Sequence, residues 1–482
     1  MNRTWPGVSV VIGAAACSTS MSLAAPKADE RIRIYEGNKY YWQYKGKPLL
    51  LLGGSDEDNL FNDPEMMMRD LKNLQSCGGN FIRGTLSWRD ENNAAPYLKK
   101  GDKFDLTRFN PDFFNRLARC CREGMKRDII MQIEVWASWD FYFDRWKSNP
   151  FNPANNINYT TRDTKLTHQW PHRPWRNLPP FFRSVPKQNN DTVLLKYQQA
   201  FVRKVLNTTL KYPNVLYCLG NETCAHEPWV LYWGKFLKAE AAKRGRPIEV
   251  TEMIGDGDLR EKSHRWVYQH PEIFSFADVS QNNWNEGQTH YERLIWYREK
   301  LNTQKGGPRP MNNVKVYGAD NPQSKRIESM NIDRFWKNIF AGCAGTRFHR
   351  PGLNAQGIEI GGLGLNKEAQ GTIRAARTFT DAFNIFKCEP RPDLLSDREK
   401  DEAYCLAETG KSFAVYFPKG GQVTLNPDGA NGSMIMRWFD PVKVEFLPKH
   451  KISVETVGGI TESIKLASPD TKQPWLILVQ KK

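Results

Sequence analysis

Between residues 49 and 349 two kinds of apolar pattern alternate along the chain. Short runs that are apolar on both faces read as strands buried in a parallel sheet. Longer stretches with apolar residues three and four apart read as helices with one buried face. The first buried run is 49–52, which ends at Gly53-Gly54. Asp63-Pro64 then supplies a cap and a proline at the first helical position. Met68, Leu71 and Leu74 follow at helical spacing until Gly78-Gly79 stops the helix. Residues 80–84 are the second predicted strand. Asp112 caps the next helix, with Phe114, Leu117, Ala118 and Cys121 on one face, and 128–136 is the third strand. A long helix carries Leu194, Tyr197, Phe201, Val205 and Leu210 in phase and stops at Tyr212-Pro213. The fourth strand, 215–219, runs into Gly220-Asn221-Glu222. Weaker strands are expected at 248–251, 276–280 and 314–317. A helix over 332–341 leads into the last, 345–349.

Eight strands separated by helices predict an α/β chain of (β/α)8 type, a TIM barrel with its functional face at the C-terminal strand ends. An open doubly wound sheet would show a glycine-rich phosphate turn after its first strand. Gly53-Gly54-Ser55-Asp56-Glu57-Asp58 is too acidic for that role. Ahead of the barrel, 32–44 reads as a hairpin around Glu36-Gly37-Asn38. The barrel with this hairpin is assigned to 30–391. From 392 the pattern changes to short strands at 402–408, 412–417, 422–425, 434–439, 452–456 and 475–480. With Gly, Asn and Asp turns between them, they predict a small antiparallel β-sandwich over 392–482. The stretch 141–190 breaks the barrel rhythm. It is rich in Pro, Asn and aromatics, among them Trp146, Trp170, Trp175, Phe181 and Phe182. It is predicted to be an ordered loop that shapes a cleft.

Composition adds two points. The chain holds 16 Trp, 17 Tyr and 25 Phe, rings that suit sugar faces as well as cores. Its net charge is +16, which suits an acidic glycan or a basic solvated surface. Lys and Arg are scattered and no reader motif occurs, so nucleic acid is not expected as a partner. Residues 1–25 read as a secretory signal: Arg3, an apolar small-residue run, then Ser22-Leu23-Ala24-Ala25. The run is too short and too weakly apolar for a membrane span, so a secreted or periplasmic location is expected. Cys17 lacks the bulky aliphatic residue that lipidation requires three positions earlier. No metal-ligand spacing, phosphate loop, haem motif or Ser-His-Asp order occurs, so neither metal nor cofactor is expected.

Glu222 is the leading candidate for chemistry. An Asn-Glu step directly after a buried strand puts a carboxyl in the cleft, beside an amide that can bond a hydroxyl. The alternative is a capping cluster at a helix N-terminus. Other strand ends offer polar groups beside aromatic rings, as a substrate-binding cleft requires. These are Asp56, Trp88, Trp136, Asn283, Trp284, Arg347 and His349.

Asn221-Glu222 ending strand four, with Arg83 ending strand two, resembles the clan A glycoside hydrolases. The resemblance implies a TIM-barrel enzyme that cleaves O-glycosidic bonds with two carboxylates and no cofactor. It makes Glu222 the general acid/base and has Arg83 keep the nucleophile ionised. In that clan the nucleophile is a Glu ending strand seven. Here Val316-Tyr317-Gly318-Ala319-Asp320-Asn321 puts Asp320 in that place, one methylene shorter. Carboxylates about 5 Å apart retain anomeric configuration, and about 6.5–9.5 Å apart invert it. Glu252 and Glu134 are reserves. The order of Gly46-Lys47-Pro48 hairpin, barrel and C-terminal strands, with 413–418 and 438–441, resembles the apiosidase-like hydrolases that carry a collagen-binding-like β domain. That resemblance implies a bacterial exoenzyme acting on plant or complex glycans. The expectation is a secreted glycoside hydrolase of a complex polysaccharide, with an acidic one suited to the basic charge. The alternative is a catalytically inactive carbohydrate-binding or adhesion protein on the same barrel.

Overall fold

The computed structural model describes residues 30–170, 178–317, 327–352, 361–457 and 460–482. The expected signal segment, Trp175 and Asp320 lie outside them. Eight parallel strands, numbered in chain order, form the central sheet. They are β1 (Leu51–Gly54), β2 (Phe81–Thr85), β3 (Ile130–Trp136), β4 (Val215–Gly220), β5 (Val250–Thr251), β6 (Ala277–Asp278), β7 (Met311–Val316) and β8 (Gly345–Phe348). β1 to β5 pair in sequence, as do β6 to β8, and β8 pairs with β1. Between β5 and β6 the Ser275 amide donates to the Val250 carbonyl at 2.9 Å, and Ser275 Oγ accepts from the Val250 amide at 2.9 Å. The ring is thereby closed, and the predicted (β/α)8 barrel is present.

A helix leads from each strand toward the next around the ring: Pro64–Ser76, Pro111–Lys126, Thr192–Thr209, Glu227–Ala242, Arg265–Tyr268, Gly287–Thr303, Ile327–Phe340 and Lys367–Thr380, with a short extra helix, Phe143–Ser148, after β3. The fifth is a single turn. Local sequence explains the helix starts. The Asp63 side chain accepts from the Glu65 and Met66 amides, with Pro64 opening the helix. The second helix is capped by Asn110, which accepts from the Asp112 amide, rather than by Asp112 as expected. Pro111 is the reason: it occupies the first helical position and moves the cap one residue upstream of itself.

Gly53 lets β1 and β2 meet. A Cβ there would lie 1.8 Å from the Phe81 carbonyl oxygen, a backbone atom that cannot move aside. Gly53→Ala is therefore expected to destabilise the barrel by at least about 1–3 kcal/mol. A thermal melt unchanged from the parent would show that this approach can relax.

The N-terminal residues form a three-stranded antiparallel sheet, Arg33–Ile34, Trp42–Tyr44 and Lys47–Leu49. Trp42, fully buried, donates from Nε1 to Asn312 Oδ1 at 3.0 Å, at the start of β7. This sheet covers the N-terminal mouth of the barrel and leaves the C-terminal face open. A hairpin of Tyr97–Lys100 and Lys103–Phe109 was not anticipated; it follows β2 and stands at that open face. In the long segment after β3, Trp146, Phe181 and Phe182 are buried, and Phe141 stacks on Phe181 with ring centres 4.0 Å apart. These rings fasten the segment to the barrel, while its polar residues line a cavity beside the open face.

The C-terminal strands make one large antiparallel sheet, including Tyr404–Glu408, Ser412–Phe417, Gly432–Asp440 and Trp475–Lys481. A smaller sheet joins Leu395–Ser396, Gln422–Leu425 and Ile464–Ala467. Alternation divides the large sheet's side chains. Cys405, Phe413, Val415, Phe417, Ile477 and Val479 pack against the smaller sheet. Leu406, Ala414, Tyr416, Leu476 and Leu478 join the barrel's own core. Tyr416 stacks on Trp336 at 5.9 Å, and Phe379 meets Phe439 at 5.5 Å. Lys337, fully buried, pairs with Asp333 at 2.5 Å and Asp401 at 2.7 Å across the junction. All eight described cysteines are free. No described helix is long and apolar enough to cross a membrane.

Candidate functional site

Arg83 lies at the centre of the open face, fully buried on β2. Its Nε and Nη2 donate to Glu134 Oε1 and Oε2 at 2.5 and 2.7 Å, a two-pronged contact with β3. Its Nη1 donates to Asp58 Oδ1 at 2.7 Å, in the loop after β1. Thr85 Oγ1 donates a further bond to Glu134 at 2.6 Å. Asp58 is also met by Arg89 at 3.1 Å, Arg350 at 3.1 Å and His349 Nδ1 at 3.4 Å. Burial alone would push the Asp58 carboxyl up, but Arg83 and the other cations outweigh it and hold it well below the usual range. His349 is pushed well below the ordinary imidazole value, by burial first, and is neutral.

Glu222 faces this cluster from the end of β4. Its backbone is left-handed, φ 54°, a conformation that costs a non-glycine residue about 1 kcal/mol. Two contacts hold it there. Trp139 Nε1 donates to Glu222 Oε2 at 2.7 Å, and Lys315 Nζ pairs with Oε1. Lys315 projects inward from β7 with its side chain 3% exposed, while that of Glu222 is 21% exposed. Burial pushes the Glu222 carboxyl up, but Lys315, Trp139 and Arg83 outweigh it, so the net direction is down. With both oxygens accepting, Glu222 is a carboxylate in the resting site. Asn221 is buried beside it, and its Oδ1 has no hydrogen-bond partner among the described residues. Glu57, half-buried near Asp58, is pushed up to about 7 by burial and by Asp90.

Arg83, Asn221, Glu222 and His349 thus lie together at one end of the barrel. Asp320 lies outside the described residues. Trp88 is half-buried at the open face, and Trp284 is 54% exposed, donating from Nε1 to Gln281 at 3.3 Å. Four expectations need correction. Trp136 does not line the cleft: its ring packs among Phe181, Phe201, Trp229 and Trp233, 2% exposed. Asp56 fastens backbone, accepting from the Leu365 amide at 2.8 Å and from Arg69 at 2.8 Å. Asn283 is fully buried and donates to the carbonyls of Ser280 and Lys315, joining the end of β6 to β7. Arg347 is fully buried within the barrel, bonded to the Val314 carbonyl at 2.7 Å and to Ser55 Oγ; burial, then Arg83, push it down to about 10. Of the reserves, Glu134 is engaged by Arg83. Glu252 is 1% exposed, without a hydrogen-bond partner for either oxygen among the described residues, and burial pushes it well up into the neutral form.

Asp58, Arg89, Trp139, Lys315 and Arg350 were missed. Lys315 carried a signal: a lone lysine inside the apolar run of strand seven faces either a counter-ion or solvent. The others sit on loops or, for Trp139, in the single 3-10 turn Ser138–Phe141, where periodicity says nothing of direction.

No family model matches the chain, and no curated protein matches its sequence. Its fold is similar to a glycoside hydrolase family 5 structure from Bacteroides vulgatus, at 11% identity over 94% of both chains, with a TM-score of 0.67. It is also similar to a structure described as a glycoside hydrolase, at 10% identity over 94% of this chain and 97% of that one, with a TM-score of 0.64. At these identities the likeness defines an architecture: the (β/α)8 barrel with C-terminal β sheets is a fold that glycoside hydrolase structures share.

Proposed function

We propose that the chain is a secreted glycoside hydrolase that cleaves O-glycosidic bonds of a complex polysaccharide, with Glu222 and Asp320 as its two carboxylates. The observation that carries the reading is the partly exposed Glu222 on an Asn-Glu step at the end of β4, facing Arg83 of β2 across the open face. The apiosidase-like resemblance in the hairpin and C-terminal strands supports a glycan of plant or complex origin. Glycosidic cleavage needs one carboxyl to protonate the leaving oxygen and another to attack or to activate water. Glu222 reaches the donor state when a saccharide oxygen enters between it and Lys315 and weakens their pairing. Burial, which already pushes the carboxyl up, then takes over. Asp320 supplies the second carboxylate. The test is incubation of the secreted protein with neutral and acidic glycans, with product anomers followed by NMR. Absence of product from every glycan would overturn the reading.

The Lys315–Glu222 pair favours a second reading, a barrel that holds glycan and no longer cleaves it. Stable oligosaccharide binding without product would mark that outcome.

Lys315 also yields a pH prediction. In Lys315→Met, Glu222 loses its cation and burial raises its carboxyl, so the alkaline limb of kcat/KM, on which the proton donor is lost, should move to higher pH. Stability should change in a matching way. A depressed carboxyl stabilises the fold above its unfolded value of about 4.3, and that stabilisation is lost as pH falls through the folded value. Lys315→Met should flatten this acid-side slope. A pH–rate profile and slope identical to the parent would show that Lys315 does not set the Glu222 charge.

A further inference from the structure

Beside the Asp58–Arg83 cluster the open face continues into a cavity of about 400 Å³. Its walls include Trp88, Arg89, Lys99, Asp102, Asp140 and Arg145. Three cations there face two carboxylates, and the carboxylates are unequally engaged. Asp140 is already bonded by Ser87 Oγ at 2.7 Å and approached by Arg89 at 3.5 Å, which also holds Asp58. Asp102 is exposed in the turn of the 97–109 hairpin. Arg145, in the short helix Phe143–Ser148, makes no ion pair and no side-chain hydrogen bond among the described residues. It is half-buried, among Arg89 and Arg350 of its own sign and Asp140 and Asp90 of the opposite sign, with neither carboxylate in direct contact. A guanidinium in that position has no carboxylate paired directly with it, as burial normally demands. Its planar fork matches a carboxylate or a sulfate, and Trp88 adds an aromatic wall on which a sugar ring can lie. Lys99, held over the Phe104 ring at 5.1 Å, brings a second cation to the rim.

We propose that this cavity is a subsite for an anionic sugar unit, whose carboxylate or sulfate is received by Arg145. The proposal rests on the glycan reading of the open face and narrows it to acidic chains. The unit bound there would be one neighbouring the unit at Glu222, because Arg89 lies in the wall of the cavity and reaches Asp58 of the central cluster.

The test is calorimetric titration of the full chain carrying Glu222→Gln, so that no probe is consumed. The probes are trigalacturonate, sulfated galactotriose and neutral galactotriose, each at low and high salt. A preference for one or both anionic probes is expected, weakening at high salt. The ratio of anionic to neutral affinity should fall about 10- to 100-fold when Arg145→Gln is added. Arg145→Lys should restore part of it, since charge is kept and the fork is lost. Which anionic probe gains tells carboxylate from sulfate. Equal affinity for all probes, no binding of any at millimolar concentration, or a preference untouched by Arg145→Gln overturns the subsite. Turnover of neutral glycans by the parent protein without an anionic preference overturns the subsite and leaves hydrolysis standing. An Arg145-dependent preference without turnover of any glycan leaves the subsite and removes hydrolysis.

Discussion

Glu222→Gln is expected to fold and to lose about 10²- to 10⁴-fold in turnover of an unactivated glycan. The amide has the carboxylate's shape and still offers one oxygen, so Lys315 or Trp139 keeps a partner. It cannot give or take the proton that departure of the leaving sugar requires. The loss should be smaller on a substrate with an activated leaving group, which departs without protonation. Circular dichroism of the variant should match the parent, with a modest fall in thermal midpoint because Lys315 loses its counter-charge. Turnover equal to the parent's would remove Glu222 from the chemistry.

Arg83→Met should be the most damaging single change to the fold. It would leave Glu134, whose side chain is 0% exposed, and Asp58, at 6%, without the cation that both share. Breaking a buried ion pair by removing one partner costs about 3–5 kcal/mol. Set against a total stability of about 5–15 kcal/mol, that is a large fraction. The urea midpoint should fall steeply with an unchanged slope. Arg83→Lys should fall between, since one ammonium cannot serve two carboxylates through a planar fork. Asp58 adds an acid-side sign to this. Held below its ordinary value of about 3.9, it stabilises the fold above that pH and loses the contribution as pH falls through the folded value. The variant should lose much of this dependence. A urea midpoint close to the parent's would mean that the buried carboxylates find other partners.

The barrel was legible because its signals are local. Strands such as 215–219 are unbroken apolar runs closed by glycine, and helices begin at Asp-Pro or Asn-Pro steps; the structure moves these bounds by only a residue or two at most strands. Arg83 and Asn221-Glu222 were legible for the same reason, as the first polar residues to end such runs. What was not legible is direction and partnership. Trp136 and Arg347 also end or sit late in strands, yet one turns out between helices and the other stays inside the barrel. Asp58, Arg89 and Arg350 converge from three loops, and nothing in a linear pattern links residue 58 to residue 350. The C-terminal strands alternate clearly enough to predict a sandwich. That their second face belongs to the barrel's core could not be read, because both faces are apolar for different neighbours.

That shared face has a mechanical consequence. A cut near residue 391 would bare Trp336 and Phe379 on two of the barrel's outer helices, so the terminal sheets are not a detachable cassette. There is no swivel in the interior they share. Whatever held their outer surface would therefore hold the barrel with it.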